Sequence, residues 1–573
     1  MTETAVAVEV LRTTRARRFE PATNLRGTVP GAAWTYVLPS LDVGSVLCVG
    51  TPSAAALDRL ASLATRVDIV PNQRPRTIEA FERRGNVRVV DERTAFEAGP
   101  HDLAWAVEPA TAGLGAEAAI RRATLAYEET RGATMPQRAP GDPVGGEASG
   151  SLLLRLSPTR GEVRTAVPAN DDRTLAFFER RGLEESWLAR SLAAHGVPGA
   201  RRLASLPFLR PGAETGPHRL GRLRGPAALD LEAVPAYLRR VAHESGVDLA
   251  EHRWGLAARG DYPSQKVVVY LFAPDQRLGG TQSGPALVAK LSQDESGAAL
   301  LDAAHDGLRR LAETDFGRAG RAPSVVFRGT EHKRTIVAER AVVGRPFTSV
   351  STPSPDSPAA ADVVDGLIGL ARETSQPAGG ATVAVALGDL RDRFDRTYAA
   401  SAECRRVLIR SIESIATSRA IVPLVFSHGD PGPHNLIVGE TGTVTFVDWE
   451  NADPEGMPLW DLFAFLRGFT TWASRRRRPG TRVAAIRRTF VEGSPFTRVV
   501  ADSIERYRDA LSLDRSFVEP LFWTCWMTLA VREAPRLTPA RLAQGFQLRA
   551  LEALAGRASS PVLRRILQAE PSR

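Results

Sequence analysis

Apolar and polar positions along the chain follow two periods, and each change of period marks an element. Ser45-Val46-Leu47-Cys48-Val49-Gly50 is a short apolar run closed by glycine and predicts a strand. From Ala54 to Ala64 the period becomes helical, with Leu57, Leu60 and Leu63 on one side. Arg66 to Val70, Val87 to Val90 and Asp102 to Val107 predict three more strands. Strands alternating with helices predict an α/β domain with a parallel, Rossmann-like sheet over residues 1–150. Residues 1–30 are arginine-rich and weakly patterned, as for an arm or small cap, and ordered structure is expected from Trp34-Thr35-Tyr36-Val37-Leu38-Pro39.

The pattern then breaks. Met135 to Ser151 holds Pro136, Pro140, Pro143 and four glycines, and reads as a linker. Ser151 to Leu156 and Val163 to Val167 predict a hairpin, and Arg173 to Arg181 and Glu184 to His195 predict helices. The Gly- and Pro-containing stretch Arg210 to Gly225 is the expected boundary, which makes 151–225 a connector. Beyond it comes a helix within Leu229 to Ser245, with Pro235 in or near its first turn. Strands follow at Arg253–Arg259, Lys266–Phe272, Leu287–Leu291, Ser324–Arg328 and Thr335–Glu339. A helix at Ser296–Leu311 is expected to bury Leu300, Ala304, Leu308 and Leu311. Helices around Ala359–Glu373 and Leu387–Thr417, and again to about Gln568, suit an α+β second domain at 226–573. Its strand-rich part is 226–345 and its helix-rich part 346–573.

Composition narrows the class. With 573 residues the chain exceeds one usual domain, and 43% hydrophobic content supports sizeable cores. The net charge of +9 is carried almost wholly by arginine. The basic runs Arg15 to Arg18 and Arg475 to Arg478 are short and not interleaved with aromatics, so a nucleic-acid partner is not expected. Leu521 to Val531 is too short to span a membrane and contains Thr524. Glu3 and Glu9 argue against a signal peptide, and Cys48, Cys404 and Cys525 have no metal-ligand spacing, so a cytoplasmic location is expected. The sequence is silent on oligomeric state.

The chemistry concentrates between two aspartates. Ser427-His428-Gly429-Asp430-Pro431-Gly432-Pro433-His434-Asn435 leads into a strand, a Gly-containing turn and a second strand, which ends Val447-Asp448-Trp449-Glu450. Phosphoryl transfer needs a carboxylate beside the attacking hydroxyl and oxygen ligands for Mg²⁺; kinases supply them as Asp, Asn five residues later, and a second Asp beyond the next strand. Asp430, Asn435 and Asp448 have that order and spacing. A lysine inside the apolar strand Leu287-Val288-Ala289-Lys290-Leu291 adds to the pattern, because the chain holds only three lysines, Lys266, Lys290 and Lys333.

This region resembles the aminoglycoside phosphotransferase and choline kinase-like family, whose loop reads His-Gly-Asp, four residues, then Asn. The resemblance implies a two-lobed protein-kinase-like fold that uses ATP and Mg²⁺ to phosphorylate a hydroxyl of a small molecule such as an aminoglycoside, sugar or amino alcohol. Gly429 stands where protein kinases usually carry Arg, which favours a small acceptor. By the same resemblance Asp430 orients or deprotonates the acceptor, Asn435 and Asp448 hold the metal, and Lys290 steadies the donor phosphates. Glu339 and Ala341 belong to a hinge whose main chain meets the adenine, His428 fixes the loop, and Asp461 braces it. The family's helical Glu, which orients the strand lysine, is missing, and Asp306 or Asp302 is the expected replacement. That absence leaves a non-catalytic nucleotide-binding scaffold as an alternative. The N-terminal region resembles a class I methyltransferase, but Cys48, Pro52 and Ala54 occupy positions where that family carries an acid and glycines, so a degenerate structural domain is expected. A bifunctional methyltransferase–kinase is the other alternative.

Overall fold

The computed structural model describes residues 36–38, 43–50, 54–71, 85–107, 123, 125–131, 151–156, 163–168, 174, 177–178, 219–224, 230–258, 266–274, 284–293, 295–477, 480–537 and 539–568. The linker at 135–150, the helix expected at 184–195, most of that at 173–181, and the loops around Gly260–Ser264 and Gly279-Gly280 lie outside the described residues. The chain forms two compact units, one of residues 24–302 and 325–341, the other of 1–23, 303–324 and 342–573.

In the first unit, β1 (Val43–Val49), β2 (Ala64–Val70), β3 (Val87–Val89), β4 (Leu103–Val107) and β5 (Leu125–Arg131) pair in parallel, in the order β3-β2-β1-β4-β5. Helix α1 (Ala54–Leu63) links β1 to β2, and α2 (Glu92–Glu97), capped by Asp91, precedes β4. Val46, Leu47, Cys48 and Val49 are all buried, as expected of a strand covered on both faces. The carboxylate of Asp68 on β2 is buried as well. It is met by Arg88 Nη2 at 2.7 Å, His101 Nε2 at 3.0 Å and Arg66 Nε at 3.1 Å. Burial alone would raise its pKa, but the bonds from His101 and Arg88 outweigh burial and hold it below the ordinary carboxylate value.

This sheet does not end at β5. Strands β6 (Ser151–Leu156) and β7 (Val163–Pro168) form the expected hairpin, and β8 (Arg219–Arg224) inserts between β5 and β6, antiparallel to both. β7 pairs with β9 (Arg253–Ala258), and the sheet continues antiparallel through β10 (Val267–Phe272), β11 (Leu287–Leu291), β13 (Arg334–Arg340) and β12 (Val325–Glu331). The result is one 13-stranded sheet. A single hydrophobic cluster includes Val46, Cys48 and Trp105 together with Tyr237, Trp254, Val267 and Phe327. Arg210–Gly225, expected as a boundary, therefore carries a strand that joins the two sides. Its glycines and prolines flank that strand, apart from Gly221 within it. Helix α3 (Ala236–Glu244), with Pro235 at its N-cap, packs on β12, where Gly329 leaves room for Val241.

Helix α4 (Glu295–Leu311) runs out of the first unit and into the second. Its buried positions are Leu301, Ala304, Leu308 and Leu311; Leu300, expected in the stripe, is only half-buried at its margin. In the second unit β14 (Arg345–Pro346), β17 (Leu436–Val438) and β18 (Val444–Phe446) make one small sheet, and β15 (Gln376–Gly379), β16 (Ile421–Ser427) and β19 (Asp453–Gly456) another. Its longer helices among the described residues are α5 (Pro358–Thr374), α6 (Gly380–Thr397), α7 (Ala402–Thr417), α8 (Trp460–Arg477), α9 (Arg482–Arg487), α10 (Pro495–Leu511), α11 (Val518–Glu533), α12 (Phe546–Ala555) and α13 (Pro561–Gln568). The expected helical stretch Leu387–Thr417 is split, because Ser401 accepts from Cys404 N and starts α7 afresh. α11 is buried almost all round, against α6, α7, α8 and α12. Among the described residues no helix is long and apolar enough to cross a membrane.

Candidate functional site

The loop after β16 is held by its own side chains. Gly429 has φ +81, and a Cβ there would lie 2.2 Å from Asn451 O. Only glycine fits, which is the local reason this position cannot carry the arginine of protein kinases. Asp461, in the first turn of α8, accepts from the main-chain N–H of His428 at 2.5 Å and of Gly429 at 2.9 Å. Burial raises the pKa of Asp461, with those two donors pulling it back. Arg532, from α11, donates to the Gly429 carbonyl.

His428 is fully buried, its ring 4.3 Å from that of Trp449. Its Nε2 lies 3.1 Å from the Val447 carbonyl, and Asp430 N donates to its Nδ1 at 3.2 Å. A carbonyl must accept and an amide N–H must donate, so the ring is the neutral tautomer with its proton on Nε2. Burial lowers its pKa, in keeping with that form.

Asn435 joins the two aspartate turns. Its Nδ2 donates to Asp430 O at 2.9 Å and reaches Asp430 Oδ2 at 3.4 Å, while its main-chain carbonyl accepts from Val447 N at 2.9 Å. Val447 is thus bonded by both His428 and Asn435, and Asp448 follows it in the left-handed region, φ 75 and ψ 60. Asp tolerates that conformation better than most residues. With Nδ2 committed to Asp430, the amide oxygen of Asn435 is the end left for a ligand. One amide oxygen and one carboxylate are oxygen donors suited to Mg²⁺, which binds through one or two such groups and takes the remainder from water and substrate phosphate. Among the described residues no group of three His, Cys, Asp or Glu side chains could hold a metal. His434 is exposed.

The first unit holds the other expected site residues. Lys290 is buried on β11, and its Nζ lies 2.5 Å from Glu339 Oε1 on β13. Lys290 stands opposite Val337 in the register, and Glu339 is two residues on, hence on the same face. Glu339, expected to contribute hinge main chain, thus contributes a side chain as well. Asp302 pairs with Arg328 at 2.6 Å, and Asp306, an exposed side chain, lies 3.0 Å from His305 Nδ1. The Ala341 N–H donates to Ala286 O at 2.9 Å.

Residues 144–496, more than half of the chain, match the family described as the phosphotransferase enzyme family, APH. This chain belongs to that family. The match of this phosphotransferase begins at 144, so β6, β7 and β8 fall inside it, ahead of the expected start at 226. It is similar in structure to an aminoglycoside phosphotransferase, APH(3'')-Id, from Streptomyces rimosus, with 17% identity over 50% of this chain and 96% of the other, at a TM-score of 0.30. A choline/ethanolamine kinase family protein from Mesorhizobium loti has 19% identity over 55% and 91%, at 0.30. An ethanolamine kinase from Plasmodium vivax has 10% identity over 55% and 84%, at 0.33. No curated protein matches the phosphotransferase in sequence.

Two side chains of α8 and α11 escaped the sequence pattern. Arg467 precedes Gly468, where a Cβ would lie 2.8 Å from Pro433 Cδ, so this part of α8 packs on the loop itself. Arg532 reaches the loop carbonyl from α11. Neither belongs to a local motif; each is one arginine in an arginine-rich helical region, and only tertiary packing singles it out.

Proposed function

We propose that the protein transfers the γ-phosphoryl group of ATP to a hydroxyl of a small molecule. The observation that carries this is the loop from Asp430 to Asp448, tied together by Asn435 and by neutral His428. The acceptor oxygen bonds to the γ-phosphorus as the bond from that phosphorus to the β-bridging oxygen breaks. ADP leaves with the bond's electron pair, and the acceptor proton passes to Asp430 and then to water. A loose transition state demands little proton removal early, so Asp430 acts chiefly by orienting the hydroxyl. Asn435 and Asp448 would hold Mg²⁺, which when bound neutralises phosphate charge. Lys290 is assigned to the donor phosphates, with Glu339 as the buried counter-charge that orients its ammonium. The test is Asp430→Asn: transfer is lost by 10³-fold or more while nucleotide still binds. Full transfer by that variant would overturn the role.

The parallel sheet is proposed to be a degenerate Rossmann-like domain. The order β3-β2-β1-β4-β5 is that of doubly wound sheets, and Gly50 closes β1 at φ +93. Its buried carboxylate Asp68 is already committed to Arg88 and His101. Calorimetry with S-adenosylmethionine is expected to show no binding, and saturable binding would restore the bifunctional reading.

A further inference from the structure

Among the described residues Arg467 makes no ion pair. Its Nε is buried with no hydrogen-bond partner among them, and its Cζ lies 6.0 Å from the centroid of the Trp526 ring. Within the next turn of α8, the buried hydroxyls of Thr470 and Thr471 also have no partner among the described residues. An unpaired charge and two unpaired hydroxyls are costly in one buried patch, and a bound oxyanion would satisfy all three.

The patch sits against the loop. Gly468 packs on Pro433 and Gly432, and a Cβ on Gly432 would lie 3.5 Å from Asp430 Oδ1. Arg532 brings a second cation to the Gly429 carbonyl. Two of the carboxylates nearby are committed elsewhere. Asp461 accepts two main-chain N–H groups, and Glu533 accepts from Gln547 N at 2.8 Å. Burial lowers the pKa of Arg467, with Asp430 the largest opposing influence. An ammonium entering beside Asp430 would face two guanidinium groups, whereas a carboxylate or phosphate would be drawn to them.

We propose that the acceptor of this phosphotransferase is an alcohol that itself carries an oxyanion, a carboxylate or a phosphate, bound by Arg467 with the Thr470 and Thr471 hydroxyls beside it. The inference rests on the phosphotransferase reading. The transfer step is as balanced above, with Arg467 binding the part of the acceptor that does not react.

The experiment measures ADP release by the full-length protein with gluconate (carboxylate arm), glycerol phosphate (phosphate arm), glycerol, choline and glucosamine. One or both oxyanion alcohols are expected to exceed the cationic ones at least tenfold in kcat/KM, and the arms tell which oxyanion is bound. Arg467→Gln should raise KM for the oxyanion acceptor roughly 10- to 100-fold, the loss expected of one charge-assisted bond, with kcat and KM for ATP within threefold. Arg467→Lys should recover part of the loss, and it also covers the case in which the glutamine variant does not fold. Preference for choline or glucosamine would overturn the inference and leave the phosphotransferase reading standing. If no alcohol is phosphorylated, calorimetry with the same two oxyanions separates the claims. Binding that weakens in the Arg467 variants keeps the oxyanion site and overturns its role in holding an acceptor; no binding to the wild-type protein overturns the inference whole.

Discussion

The two carboxylate oxygens of Asp461 are divided between adjacent main-chain groups, one on the N–H of His428 and the other on the N–H of Gly429. Asp461→Asn turns one of these acceptors into a donor that faces another donor. The expected cost is about 1–3 kcal/mol for the buried N–H left unsatisfied. Thermal unfolding measures it, and kcat should fall together with stability while KM for ATP stays near its original value. Wild-type stability in this variant would show that the bracing is idle.

Acid should loosen the loop through His428. Burial lowers its folded pKa below the unfolded value near 6.5. Between those two values the unfolded chain holds a proton that the folded protein refuses, so stability rises with pH across the window. The contribution is complete above about pH 6.5 and is lost as pH falls toward the folded value. His428→Gln keeps a donor for the Val447 carbonyl but does not titrate. Its urea midpoint, followed from pH 7.5 to 5, should fall less steeply than that of the wild type.

Gly429→Ala places a methyl group against the Asn451 carbonyl in a left-handed backbone conformation. The conformation alone costs about 1–2 kcal/mol, and the clash adds to it. The expected outcome is a lower unfolding midpoint with kcat reduced at least tenfold. Gly442→Ala, also at positive φ but with nothing within 4 Å of its Cβ, supplies the comparison and should lose stability alone.

The pair Lys290–Glu339 predicts an asymmetry. Glu339→Ala removes the buried carboxylate beside the Lys290 ammonium and should cost about 3 kcal/mol. Replacing both residues, Lys290→Met with Glu339→Leu, should be milder for folding than Glu339→Ala alone, although transfer is lost. Urea unfolding of both variants distinguishes this from a pair that merely touches.

The sequence made some of this legible and hid the rest. The loop from His428 to Asp448 could be read because its chemistry is compressed into neighbouring turns, where spacing along the chain stands for spacing in the fold. Leu287–Leu291 could be read because one lysine interrupts an apolar strand. The acidic partner of that lysine was sought on a helix, while the structure brings Glu339 from an adjoining strand 49 residues on. The signal was available: β13 is also apolar with one buried acid, and alternation puts Glu339 on the same face as Val337. Strand β8 lay in a stretch rich in glycine and proline, whose composition outweighs a six-residue pattern. Arg467 and Arg532 could not be singled out from an arginine-rich chain, because what distinguishes them is which loop their helices pack upon.

The continuous sheet also bears on how this enzyme could be engineered. A fragment starting at 226 would strip β9 of β7 and leave a row of open backbone groups, the kind of edge that recruits other chains. It would also split one apolar interior, taking Tyr237 and Trp254 away from Val46 and Trp105. The kinase-like half is therefore not a cassette that can be lifted out. Any transplant must carry its neighbouring strands along or bring a substitute for them.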